Sequence, residues 1–278
     1  MLDILVAYLS LLYPLPGCFN TPIPSTSIVL TGDSAGANLC LSLLQVILEL
    51  GRLQNTRTPT VRWDGQDVLV PVPAGVAAMS AWADLTRALP SWCSDRDYDI
   101  YGNGLPRSVR PDFPTCAAWP SNPPRGDLYC DLSTLCHPLV SPTAATDWTL
   151  APPILFVCGD ERAVDSNKVI AQRALSQGAL VVWQEYEAMP HIFMLLLEKL
   201  PHSSLCFERW AQFCRQCVQD PGSLRTSGTF VEVETLRSKE VDMTHLTAIT
   251  VEEALVSMHA QRDTRRVWTG PKILKSTI

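Results

Sequence analysis

Charge is sparse in this sequence. Of its 278 residues only 18% are Asp, Glu, Lys or Arg, and the balance is acidic, at −6. That argues against nucleic acid as the main partner, because phosphate recognition needs a positive face. The basic residues near the end, Arg262, Arg265, Arg266, Lys272 and Lys275, read as a solvated tail rather than a binding patch. No second Cys-x-x-Cys accompanies Cys214-Arg-Gln-Cys217, and the ten cysteines show no disulfide-module spacing. Buried thiols in a reducing, cytoplasmic setting fit better than zinc or redox duty. The opening is not expected to be a membrane anchor either. Its apolar stretch, Ile4 to Tyr13, is too short to span a bilayer, which takes about 20 residues. Asp3 stands where a secretory signal carries positive charge, and no small-x-small cleavage site follows. The expectation is a core helix over 2–13, ended by Pro14 and Pro16. No internal repeat is visible.

What is present is material for a core, since 46% of the residues are hydrophobic. Short aliphatic runs recur at 27–31, 74–80, 152–159 and 179–186, each of the kind expected in a strand covered on both faces. Helical spacing of apolar residues separates them. Leu39, Leu43, Val46, Ile47 and Leu50 form one stripe, closed by Gly51, and Val169, Ile170 and Ala174 mark a helix over 165–177. A further helix is expected over 204–218. Strands alternating with helices predict an α/β fold with a mostly parallel sheet flanked by helices. Asp64-Gly65 signals a peripheral hairpin. Residues 90–150, rich in proline, serine and aromatics, are too long for a plain connection and predict a lid-like excursion. The expected division is a domain over 1–220 followed by an appended segment, 221–278. In that segment TFVEVETL alternates like an exposed strand, and Thr250 and Glu253 form a capping box.

The chemistry concentrates in Gly32-Asp33-Ser34-Ala35-Gly36. This is G-x-S-x-G between a predicted strand and a predicted helix, the setting in which a strained turn lifts a serine oxygen clear of the backbone. The following helix aims its first N–H groups at the same spot, so the Ala35 N–H is placed to stabilise an oxyanion. A serine hydroxyl needs a base within hydrogen-bond reach. Of five histidines, His191 in EAMPHIF lies just past the fourth predicted strand, where a base belongs. His137 falls in the excursion, His202 at the start of a helix, and His245 and His259 in the appended segment. The acid that fixes the imidazole tautomer should follow the third strand. There CGDERAVDS offers Asp160, Glu161 and Asp165.

Taken in order, GDSAGANL, SAWADLT, HPLVSP, DWTLAPPILFVCGDE and EYEAMPHIF resemble the hormone-sensitive-lipase-like branch of the α/β-hydrolase superfamily, most closely its fungal esterase/lipase members. The resemblance covers about residues 1–218. It implies Ser34 as nucleophile, His191 as base and, by the family's acid-to-histidine interval, Glu161 as acid, with Asp160 the alternative and Asp165 a helix N-terminal residue. Asp84 matches a family position taken as structural. Trp92, Tyr98, Tyr101 and Trp119 would then line an acyl pocket, or simply pack. The implied substrate is a small-molecule ester, without metal or organic cofactor, and either water or an alcohol accepts the acyl group.

One family element is missing. A His-Gly-Gly-type loop, whose amides complete the oxyanion hole, lies well upstream of the nucleophile in that family, and no HG or GG dipeptide occurs before Ser34. The resemblance thus implies a partial α/β-hydrolase fold lacking its first strands. Three explanations fit: an incomplete gene model, a degenerate paralogue, or a homo-oligomer whose partner covers the exposed sheet edge. The alternative function is a non-catalytic binding or interaction protein on the same scaffold.

Overall fold

The computed structural model describes residues 2–101, 116, 117, 119, 121, 122, 125–265 and 267. Arg266, Lys272 and Lys275 of the basic tail, and a large part of the excursion, lie outside the described residues. The aliphatic runs become the middle of one sheet. A helix, α1 (Leu2–Leu12), precedes β1 (Val29–Asp33), which runs directly into the long helix α2 (Ser34–Leu53). The hairpin strands β2 (Thr60–Trp63) and β3 (Gln66–Leu69) form a two-stranded sheet of their own, with Asp64-Gly65 at their turn. After them come β4 (Gly75–Met79), the single turn α3 (Pro90–Cys93), β5 (Ile154–Gly159), α4 (Val164–Ser176) and β6 (Val181–Tyr186). The chain closes with α5 (Phe193–Leu196), α6 (Pro201–Gln219), β7 (Ser227–Val231), β8 (Ser238–Glu240) and α7 (Val251–Thr264).

The six-stranded sheet has the order β1-β4-β5-β6-β7-β8. Every neighbouring pair is parallel except β7 and β8. Every residue of β4 and β5 is buried, as continuous aliphatic strands demand. Their side chains sort by parity. Val76, Ala78, Ile154, Phe156, Cys158, Val181 and Trp183 meet α2 and α4 on one face. Ala77, Met79, Leu155, Val157 and Tyr186 meet Phe213 and Cys217 of α6 on the other. A one-residue slip in any of these strands would exchange the two sets. The helix α2 is long and apolar enough to cross a membrane by length and composition alone, but 61% of its apolar window is buried in the fold. The helix α1 packs Tyr8, Leu9 and Leu12 against Leu43 and Ile47 of α2.

Three differences from the expected elements have physical causes. The first strand starts two residues late, because Ser25–Ser27 form a 3-10 turn after Pro24. The last long helix starts early, at Pro201, whose fixed φ and missing N–H suit a first helical position. TFVEVETL is not an exposed strand: its first half belongs to β7, between β6 and β8, with Val231 fully buried. The segment 221–278 therefore extends the sheet, and its helix α7 packs Val251 and Ala254 against Leu89 and Val169. Just beyond α7, Arg265 donates to the carbonyls of Leu85 and Thr86, both at 2.9 Å, and pairs with Asp127 at 3.2 Å.

Candidate active site

Because β1, β5 and β6 are parallel, their carboxyl ends open on one rim of the sheet, where ligands of such folds bind. Ser34 stands at the first of these ends. Its φ is +50°, a left-handed conformation that costs a non-glycine residue about 1 kcal/mol or more. Close packing makes the turn possible: a Cβ on Gly32 would come within 2.5 Å of the Gly36 carbonyl carbon. The strand thus crosses the start of α2 at a separation only glycine allows. Ala35 is the second residue of α2, where a backbone N–H has no partner inside the helix.

The turn after β6 brings His191 to the same place. His191 is fully buried, and its Nε2 lies 2.8 Å from Ser34 Oγ. Its Nδ1 lies 2.9 Å from Oε2 of Glu161, also fully buried, at the end of β5. That distance is an ion-pair contact, but the angle falls outside hydrogen-bond geometry, so among the described residues Nδ1 and both Glu161 oxygens lack an aligned partner. Such contacts in substrate-free hydrolases commonly tighten when the transition state forms. The two loops interlock: a Cβ on Gly159 would fall 2.1 Å from the Met189 carbonyl oxygen. Burial, and then the charge of Glu161, push the Cys158 thiol well above its usual range, so it stays protonated beneath the acid.

The other candidate acids are engaged elsewhere. Asp160 accepts from Arg96 Nη2 at 2.8 Å and from the Tyr98 hydroxyl at 2.7 Å. Burial works to raise its carboxyl, but the bonds from Tyr98 and Arg96 outweigh that and hold it below the usual aspartate range. Asp165 accepts the Ser91 N–H at 2.8 Å, next to the start of α4. Asp84 is buried and accepts from the backbone N–H groups of Thr86 and Ala88, a turn-forming role. Among the other histidines, His137 accepts from Leu139 N–H and His245 pairs with Asp242 in local turns. Cys214 and Cys217 sit a turn apart on α6, and Cys217 packs on Gly75.

Of the aromatic candidates, Tyr101 reaches the site. Its hydroxyl is 3.4 Å from Ser34 Oγ, and its ring meets the His191 imidazole edge-on at 4.6 Å. Trp92 and Trp82 pack on Tyr101, and the Arg87 guanidinium lies 5.0 Å from each tryptophan ring. Burial raises the Tyr101 hydroxyl above its usual range, with the Ser34 contact opposing, so it remains a donor at neutral pH. Tyr98 is drawn onto Asp160 instead, and Trp119 is buried beside Cys116.

The sequence missed three supporting groups. Asp99 accepts the N–H of Arg162 at 2.7 Å and that of His191 at 3.2 Å. Arg162, 1% exposed, donates to the carbonyls of Trp92 and Ser94. Ser80 Oγ accepts the N–H of Ile192 at 3.1 Å, and both residues are left-handed, at φ +46° and +50°. Ser80 and Arg162 lie within the stretches SAWADLT and CGDERAVDS, but neither stretch, nor the excursion around Asp99, marks these side chains as the ones that brace the site. Chemically, the arrangement lets the Ser34 proton pass to Nε2 while Glu161 balances the charge created on the ring.

Residues 3–195 match a family model described as alpha/beta hydrolase fold. An acetyl-hydrolase of Streptomyces hygroscopicus is 28% identical over 214 residues, which cover 77% of this chain and 58% of that protein. A crystal structure of a mutant of the esterase E40 superposes with a TM-score of 0.50 at 22% identity, over 70% of this chain and 55% of the other. A hormone-sensitive lipase from a metagenome library gives 0.48 at 20% identity, again over 70% of this chain and 55% of its own. The chain thus spans little more than half the length of the relatives it matches.

Proposed function

The chain belongs to the alpha/beta hydrolase fold family, and from that premise we propose that it is a serine carboxylester hydrolase acting through an acyl-enzyme. The observation that carries this reading is the buried relay itself, with His191 Nε2 2.8 Å from Ser34 Oγ and Nδ1 2.9 Å from Glu161. Ser34 Oγ attacks the ester carbonyl while Nε2 takes its proton. The Ala35 N–H and the start of α2 face the oxyanion that develops. The tetrahedral intermediate collapses, the alcohol leaves with the proton from Nε2, and the acyl group stays on Ser34. Water, or a second alcohol, then attacks the acyl-enzyme with His191 again accepting and returning a proton. Glu161 holds the ring and offsets the imidazolium; D/E chemistry at this position is equivalent, since the group is never required to accept the proton. The aromatic group of Trp82, Trp92 and Tyr101 forms an apolar wall beside the nucleophile, suited to the acyl or alcohol part of an ester.

A fluorophosphonate probe tests the reading directly. The expected result is covalent labelling at Ser34 and hydrolysis of p-nitrophenyl acetate, with both lost in Ser34→Ala by about 10⁴-fold or more. Folded protein that takes no label would overturn it and favour a binding protein on the same scaffold.

A further inference from the structure

Resting on the esterase reading, we propose that Asp99 is a positioning residue that holds the acid and the base in register by bridging the backbones of their two loops. Asp99 is 7% exposed and belongs to the excursion, far in sequence from both loops. Each carboxylate oxygen has its own task. Oδ2 accepts the N–H of Arg162, the residue directly after Glu161, at 2.7 Å. Oδ1 accepts the N–H of His191 itself at 3.2 Å. The two donors follow different strands, β5 and β6, so the carboxylate fixes the distance between the roots of the two reacting side chains.

The bridge is itself braced. The N–H of Asp99 bonds to the Arg96 carbonyl at 3.0 Å, and Arg96 reaches across to Asp160, next to Glu161. Arg162 answers from the other side through the carbonyls of Trp92 and Ser94. The segment 91–99 therefore lies as a strap over the end of β5, and Asp99 is the point where it also grips the histidine loop. The imperfect angle between Nδ1 and Glu161 makes such register consequential, because small displacements at this contact decide whether the hydrogen bond forms.

Asp99→Asn tests the proposal, since it keeps the shape but turns one of two acceptors into a donor facing an N–H. The expected result is a loss in kcat of about 10²-fold with KM within about threefold. Combined with Glu161→Gln, the loss should not multiply, because both changes act through His191. Amide hydrogen exchange on the full chain without substrate should quicken by about tenfold or more at Arg162 or His191, leaving β5 unaltered. Should Asp99→Asn fail to fold, Asp99→Ala, which removes both acceptors without a repulsive donor, is measured in the same way. Wild-type turnover in a folded variant, or losses that multiply with Glu161→Gln, would overturn the inference. Unchanged exchange at both amides would do so too, and it is read independently of any ester. A chain inert to esters whose two amides loosen in Asp99→Asn would instead retain the bridge and refute only the esterase reading.

Discussion

The serine corner and the acid–histidine corner of this site are built in opposite ways. Ser34 is placed by five contiguous residues, a strand end and the first turn of a buried helix. His191 and Glu161 are placed by three segments distant in sequence, 91–99, 159–165 and 186–192, tied together by Asp99, Arg162, Arg96 and Ser91. The first corner stores its position as local strain, in a φ of +50° at Ser34. The second has left-handed residues of its own, Ala188 at +54° and Ile192 at +50°, but adds a network of bonds between distant segments, with far more ways to be loosened. A local device survives changes elsewhere in the chain, whereas a network transmits them.

Substitutions can break this contrast in descending order of effect. The largest is expected at the two glycines. Gly159→Ala sets a Cβ 2.1 Å from Met189 O, at the joint between the two loops, and Gly32→Ala sets one 2.5 Å from the Gly36 backbone. Both should cost about 3 kcal/mol or more by urea denaturation. Gly159→Ala should be the worse, because relief there requires two loops to part. Equal stability of either variant to wild type would show that the corner has slack which these close approaches exclude.

A smaller effect, with a sign set by pH, is expected at the Arg96–Asp160 clasp. The folded Asp160 carboxyl lies below its usual range, while an unfolded aspartate titrates near pH 4. The clasp therefore contributes its full stability above about pH 4 and loses it as pH falls through the lower folded value. The contribution at neutral pH is about 1 kcal/mol or less, as the Asp160 side chain is 38% exposed. Melting temperatures of wild type and Asp160→Asn should converge in acid; a gap independent of pH would assign the clasp to something other than the carboxylate. The smallest effect belongs to Tyr101→Phe. Its hydroxyl is 3.4 Å from Ser34 Oγ, at the long limit of a hydrogen bond, and kcat should change by no more than about threefold. A greater loss would move this tyrosine from the wall of the site into its chemistry.

What the sequence disclosed follows the same division. The corner at Ser34 was legible because its parts are adjacent: a strand, two glycines and a helical stripe are all visible in 25 residues, 27–51. His191 and Glu161 were legible through their places after predicted strands and through the family resemblance. Asp99 was not. Asp95, Asp97 and Asp99 alternate in one polar stretch, and nothing in that alternation tells which of them is buried. The answer lies in the donors it meets, supplied by chain more than 60 residues away. The strand β7 shows a different gap. Alternation tells which face of a strand is solvated and says nothing of its edges, so the pattern could not show that β6 and β8 pair along both edges of this one.

The anchoring of Arg265 carries a practical corollary. Its guanidinium closes the carbonyls of Leu85 and Thr86, one step from the arginine that lies over Trp82 and Trp92. Trimming the polypeptide upstream of Arg265, or fusing a bulky purification handle directly onto it, should disturb the apolar rim beside Ser34, whose Leu85 lies 180 positions earlier in the chain. Anyone preparing the protein for assay does well to leave the stretch that carries Arg265 untouched.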